Sequence, residues 1–118
     1  MSEGRERMAE IDFSAEFEGW YLTLNDQDAE AVTRVVDLLE ARGVALGYPY
    51  SSEIKGSAIA MRELRVQSGG RPLRILYAFD PRRNAYLILG GDKTGDDRFY
   101  ERMIPIAEAI YRRHLEEE

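Results

Sequence analysis

Phe17, Trp20, Tyr21 and Leu24 fall at intervals of three, four and seven residues, the repeat that lines one stripe of an α-helix. Ser14 stands before that stripe as a capping residue, and Glu16 and Glu18 sit near the positive end of the helix dipole. The spacing returns at Val32, Val35, Val36 and Leu39, with Asn25 or Asp26 as cap and Gly43 as a left-handed stop. Two helices this close in sequence form an antiparallel hairpin whose apolar stripes need a sheet to cover. Ahead of them, Ala9 to Phe13 alternates weakly and reads as a short strand. Residues 1–8 are read as a flexible tail and 9–118 as one domain.

Gly47, Pro49, two serines and Gly56 break any period between Val44 and Ala60, a stretch that reads as a loop carrying Lys55. Period two resumes at Arg62, with Leu64 and Val66 on one face and Glu63, Arg65 and Gln67 on the other. Ser68-Gly69-Gly70-Arg71 reads as a hairpin turn into a central strand, Leu73 to Phe79, whose one charge is Arg74. A second turn around Arg82 leads to a strand from Ala85 to Leu89, ending at Gly90-Gly91. From Asp97 to His114 the pattern is helical, with Ile104, Ile106, Ala107, Ile110 and Tyr111 apolar and Pro105 restarting or kinking it. Asp96 and Asp97 are candidate caps, His114 a favourable charge at the helix's negative end, and Trp20 a core residue. The order β-α-α-β-β-β-α is an α+β domain.

The chain has 118 residues, a size that buries one core without staples, and its lack of cysteine removes disulfides and thiol chemistry. One histidine excludes multi-histidine metal sites, so neither a metal nor another cofactor is expected. No apolar run is long enough for a membrane span, and the reading is a soluble cytoplasmic protein without a membrane partner. The net charge of −6 disfavours a polyanionic partner until its distribution is considered. Residues 1–50 sum to −7, residues 51–98 to +3 and residues 99–118 to −2. Between Ile54 and Arg74 stand Lys55, Arg62, Arg65, Arg71 and Arg74 against the single acid Glu63, an asymmetry that suits an anionic ligand as well as a solvated sheet face.

With Gly69-Gly70 as the central turn residues, Arg65 falls directly opposite Arg74. Such a pair is destabilising unless an anion or a carboxylate lies between its members. Carrying the count through the second hairpin pairs position 74 with position 90 and brings Lys93 to the same end of the sheet. Gly90-Gly91-Asp92-Lys93-Thr94-Gly95 lacks the spacing and the βαβ setting of a phosphate-binding loop. Tyr100 is either core or aimed at the basic face.

Glu63-Leu64-Arg65, Gly70-Arg71-Pro72-Leu73-Arg74-Ile75-Leu76-Tyr77, Gly91-Asp92-Lys93 and Arg98-Phe99-Tyr100 together resemble the HigB-like, phage-derived branch of the RelE/ParE toxin superfamily. Glu16-Phe17-Glu18, Trp20-Tyr21 and Ile54-Lys55-Gly56-Ser57 extend the resemblance over nearly the whole chain from Met8. It implies a RelE-like α+β fold, an N-terminal strand and helical hairpin on a small antiparallel sheet with a C-terminal helix. It also implies a toxin of a type II toxin–antitoxin module that cleaves messenger RNA on the ribosome without metal. The partners implied are a cognate antitoxin, messenger RNA and the ribosome. Arg65, Arg74, Lys93 and Tyr100 match the family's catalytic positions, and Lys55, Arg62, Arg71 and Arg98 are the RNA-binding candidates. Ala58-Ile59-Ala60 replaces a stretch that is basic or contains histidine in many relatives, and no histidine lies near Tyr100. Proton transfer is therefore expected from Tyr100 or a lysine, with neighbouring cations lowering its pKa. Two other readings of the same fold are a ParE-like gyrase inhibitor without nuclease activity and an inactive relative that binds only an antitoxin.

Overall fold

A computed structural model describes residues 7–117. Its elements are β1 (Ile11–Phe13), α1 (Ala15–Leu22), α2 (Asp26–Arg42), β2 (Ser51–Glu53), β3 (Arg62–Ser68), β4 (Arg71–Phe79), β5 (Ala85–Asp92) and α3 (Phe99–Glu116). The first two helices begin at the expected caps: Ser14 accepts from the Phe17 N–H and Asn25 from the Asp28 N–H. The second ends at Gly43, whose φ of 57° suits glycine.

The strands form one sheet in the order β1-β5-β4-β3-β2. Neighbours β2 to β5 are antiparallel, but β1 joins β5 in parallel, so the sheet is mixed rather than antiparallel throughout. The cause is the chain path: α1 and α2 carry the chain across one face to the far edge, where β2 begins. Alternation along the strands then separates two cores. Phe17, Val32, Val35 and Leu39 pack on Leu64, Val66, Leu73, Ile75 and Tyr77. On the opposite face Phe99, Met103, Ala107, Ile110 and Tyr111 of α3 cover Leu76, Ala78, Tyr86 and Ile88.

The first hairpin has the register counted from the sequence: Gly69 and Gly70 have φ of 58° and 77°, and Arg65 lies opposite Arg74. The second differs. Phe79 pairs with Ala85 as counted, but a bulge leaves Ile88 unpaired and shifts the register, so Arg74 lies opposite Gly91 rather than Gly90. The strand also continues through both glycines to Asp92 instead of ending before them.

Other expectations are corrected by tertiary contacts. The stretch read as a loop contains β2, whose Ser-Ser-Glu sequence is too short and polar to show a period; it pairs with Arg62, Glu63 and Leu64. Of the expected tail, residues 1–6 lie outside the described residues, while the Met8 N–H donates to the Glu40 carbonyl at 2.9 Å. Ile106 is exposed, and α3 passes through Pro105 as one helix. Asp96 braces the start of α3 by accepting from the Arg98 N–H and pairing with Arg102, while Arg98 holds the cap position. His114 is buried, not a surface charge: its Nε2 lies 3.0 Å from Asp80 Oδ2 and its ring stacks on Tyr86 at 3.7 Å. Asp80 also accepts from the N–H groups of Arg82 and Asn84, so one carboxylate joins the β4–β5 turn to the end of α3.

Gly90 and Gly91 are the points of closest approach between sheet and helices. A Cβ at Gly90 would lie 2.2 Å from the Trp20 ring, and one at Gly91 2.9 Å from Phe99. Gly90→Ala is expected to destabilise the fold by about 1–3 kcal/mol through overpacking, read as a lower urea midpoint at unchanged slope.

Candidate active site

Arg65 and Arg74 face each other across β3 and β4, a juxtaposition that costs stability unless a negative charge lies between them. Glu63, two residues before Arg65 on the same face of β3, supplies that charge. It is 5 % exposed. Its Oε2 accepts from Arg65 Nη1 at 3.3 Å and from Ser52 Oγ at 2.9 Å, and its Oε1 lies 3.6 Å from Arg74 Nε. The Tyr100 hydroxyl completes the set by donating to Oε1 at 2.5 Å.

Each participant is placed by a different element. Ser52 comes from β2, directly opposite Glu63. Tyr100 is the second residue of α3, and its neighbour Phe99 reaches the sheet over Gly91, where there is no side chain to hold it off. Lys93 follows β5; its N–H donates to the Pro72 carbonyl at 2.9 Å and its Nζ stands 5.1 Å from the centre of the Tyr100 ring. Of the four residues singled out from sequence, Arg65, Arg74 and Tyr100 are thus gathered around a carboxylate that was not singled out, and Lys93 lies against the ring of Tyr100. Glu63 had a sequence signal, since alternation sets it on the Arg65 face and a like-charged pair needs a counter-charge. Ser52 had none, because β2 itself was not visible.

The expected lowering of the Tyr100 pKa is reversed. Burial and the hydrogen bond to Glu63 push it up to about 12, and the nearby Arg74 only opposes them. The phenol is therefore a proton donor at neutral pH and not a ready base. Arg74 is 5 % exposed, and while its Nη1 donates to the Leu73 carbonyl at 3.0 Å, its Nε has no hydrogen-bond acceptor among the described residues. A buried guanidinium N–H without an acceptor, beside a second arginine, is a place for an anion. Burial also means that Arg74→Ala would open a cavity, so Arg74→Lys is the better probe.

The four other cations have different settings. Lys55 is exposed in the loop after β2 and, with Arg62, lines a cavity of about 430 Å³. Arg62 donates from Nε to Ser51 Oγ at 3.1 Å. Arg71 is committed to two carboxylates, Asp28 and Asp92, which tie the start of α2 to β4 and β5. Hydrogen bonds from Ser68 and then Arg71 hold the Asp28 carboxyl below its ordinary pKa. Arg98 is exposed at the start of α3, 3.6 Å from Glu101. No cluster of three or more potential metal ligands occurs among the described residues, and no helix there is long and apolar enough to cross a membrane.

The family model for phage-derived Gp49-like proteins matches residues 19–112. The chain belongs to that family. Within it, this Gp49-like chain is 45 % identical over 93 residues to "Putative toxin HigB3" of Mycobacterium tuberculosis, covering 77 % of this chain and 80 % of the relative. It is 37 % identical over 99 residues to "Putative toxin HigB2" of the same organism, covering 81 % of this chain and 49 % of that relative. Among solved structures it is similar to a double mutant of E. coli toxin RelE in the free state, with a TM-score of 0.59 at 12 % identity over 83 % of this chain and 97 % of that one. At that identity the match concerns the fold: the architecture is RelE-like.

The raised Tyr100 pKa has a measurable sign. A folded-state value near 12 against an ordinary 10 means that Tyr100 favours folding below pH 10 and that this contribution is lost as the pH rises through 12. A spectrophotometric titration of the wild type minus Tyr100→Phe is expected to isolate one late tyrosine, and Glu63→Gln to move it down.

Proposed function

We propose that this chain is the toxin of a type II toxin–antitoxin module and acts as an endoribonuclease that cleaves messenger RNA on the ribosome, inhibiting translation in the cytoplasm. Its partners in this reading are a cognate antitoxin, messenger RNA and the ribosome. The observation that carries the reading is the convergence of Arg65 and Arg74, the latter ion-paired through an Nε that makes no hydrogen bond, on one buried carboxylate within reach of a protonated phenol.

In the reaction, a ribose 2′-hydroxyl attacks the adjacent phosphorus. The P–O2′ bond forms and the P–O5′ bond breaks, leaving a 2′,3′-cyclic phosphate and a free 5′-hydroxyl. Charge grows on the non-bridging oxygens, where fixed guanidinium groups act without reorganisation. An entering phosphate competes with Glu63 for Arg65 and Arg74 and so frees the carboxylate oxygens to accept a hydrogen bond from the 2′-hydroxyl. Glu63 takes the 2′-hydroxyl proton, Tyr100 passes its own to O5′, and the proton on Glu63 returns to the phenolate. Lys93 offsets charge on the leaving oxygen. Every group in the cycle ends as it began.

Brief induction followed by primer extension on a reporter messenger RNA tests this. The wild type is expected to give new cuts, Arg65→Ala and Arg74→Lys to lose them, and Glu63→Gln to slow them by about 10²- to 10⁴-fold, the usual contribution of a general base. Thermal melting of each variant controls for folding. Growth arrest without cuts would overturn the nuclease and favour a gyrase-directed toxin; neither effect would leave an antitoxin-binding protein.

A further inference from the structure

Tyr48 is an aromatic ring left 76 % exposed, on the loop that enters β2. The loop is anchored at the residue that serves the anion site, since the Arg65 N–H donates to the Tyr50 carbonyl at 2.8 Å. The Arg65 guanidinium stands 5.3 Å from the centre of the Tyr48 ring, while its Nη1 reaches Glu63 at 3.3 Å. One side chain therefore touches both the anion site and one face of the ring, and the exposure of Tyr48 leaves the other face to solvent. A cavity of about 510 Å³ opens alongside, lined by Arg34, Pro49, Tyr50, Arg65, Gln67 and Arg74 among others. That volume is within the range of small-ligand sites. Three arginines there oppose a cationic or a purely apolar occupant.

We propose that Tyr48 is a stacking platform for a nucleobase of single-stranded RNA, next to the phosphate held by Arg65 and Arg74. The proposal rests on the ribonuclease reading and extends it from the scissile phosphate to a base beside it. The chemistry is that of single-strand recognition, in which an aromatic face takes a base and cations follow the backbone. Arg65 serves both, because a planar guanidinium pairs with phosphate at its edge and lies against an aromatic ring with its face. The cavity walls add Gln67 and Arg34 as hydrogen-bonding groups for the edge of the base. An exposed tyrosine in this position is not needed for folding, so it can be changed without disturbing the cores.

The test uses the full chain and a ten-nucleotide single-stranded RNA, 2′-O-methylated throughout so that no attacking hydroxyl is present, with 2-aminopurine placed at each position in turn. Binding of the wild type is expected to quench the probe at one position. Tyr48→Ala should weaken binding by about 5- to 100-fold and abolish that quench, while Tyr48→Phe keeps both. The dependence of binding on salt should be the same in all three, since the phosphate contacts are unchanged. Unchanged affinity and quench in Tyr48→Ala would overturn the platform and leave the ribonuclease intact. No binding by the wild type would also overturn it, and absence of messenger RNA cuts as well would remove the ribonuclease reading.

Discussion

A like-charged pair across two central strands dominates the electrostatics of this molecule. Arg65 and Arg74 are placed opposite each other by a turn with Gly69 and Gly70 at its centre, and one of the two is almost wholly buried. Burying a guanidinium is tolerable only beside an opposite charge, and the opposite charge must itself be hydrogen-bonded. Glu63 meets the first requirement, and Ser52 and Tyr100 meet the second. The edge strand β2 and the start of α3 are therefore tied to the same carboxylate. Electrostatic demand at one point of the sheet is satisfied by elements from both flanks.

Much of this was legible in the sequence because it depends on local rules. The helix cap at Ser14, the second cap at Asn25 or Asp26, the stop at Gly43 and the register of the first hairpin all follow from backbone chemistry at single residues. Two-residue alternation put Leu64 and Val66 together on one face of β3, where they meet the first two helices. The like-charged pair followed from counting across a turn.

What was not legible depends on partners distant in the chain. Ser51–Glu53 is a strand only because β3 offers it an edge. The bulge at Ile88 sets Ile88 and Leu89 against the same core, and a local pattern gives no reason for two successive residues on one face. His114 looked like a terminal charge because its stacking partner Tyr86 and its carboxylate Asp80 are brought to it by packing alone. The direction of the Tyr100 pKa shift failed for a similar reason: cations were counted along the sequence, whereas burial and one carboxylate decide it.

The consecutive glycines of β5 point to opposite faces of the sheet, and each receives an aromatic ring, Trp20 on one side and Phe99 on the other. The two helical layers are thus gauged against the same stretch of bare backbone, so the thickness of the molecule is set there by main chain alone. Side-chain cores can drift by exchanging a larger residue for a smaller one across an interface, but a backbone spacer has nothing to exchange. The layers on either side of this dipeptide are consequently bound to vary together, and the position of the carboxy-terminal helix carries a memory of how the amino-terminal helix is seated.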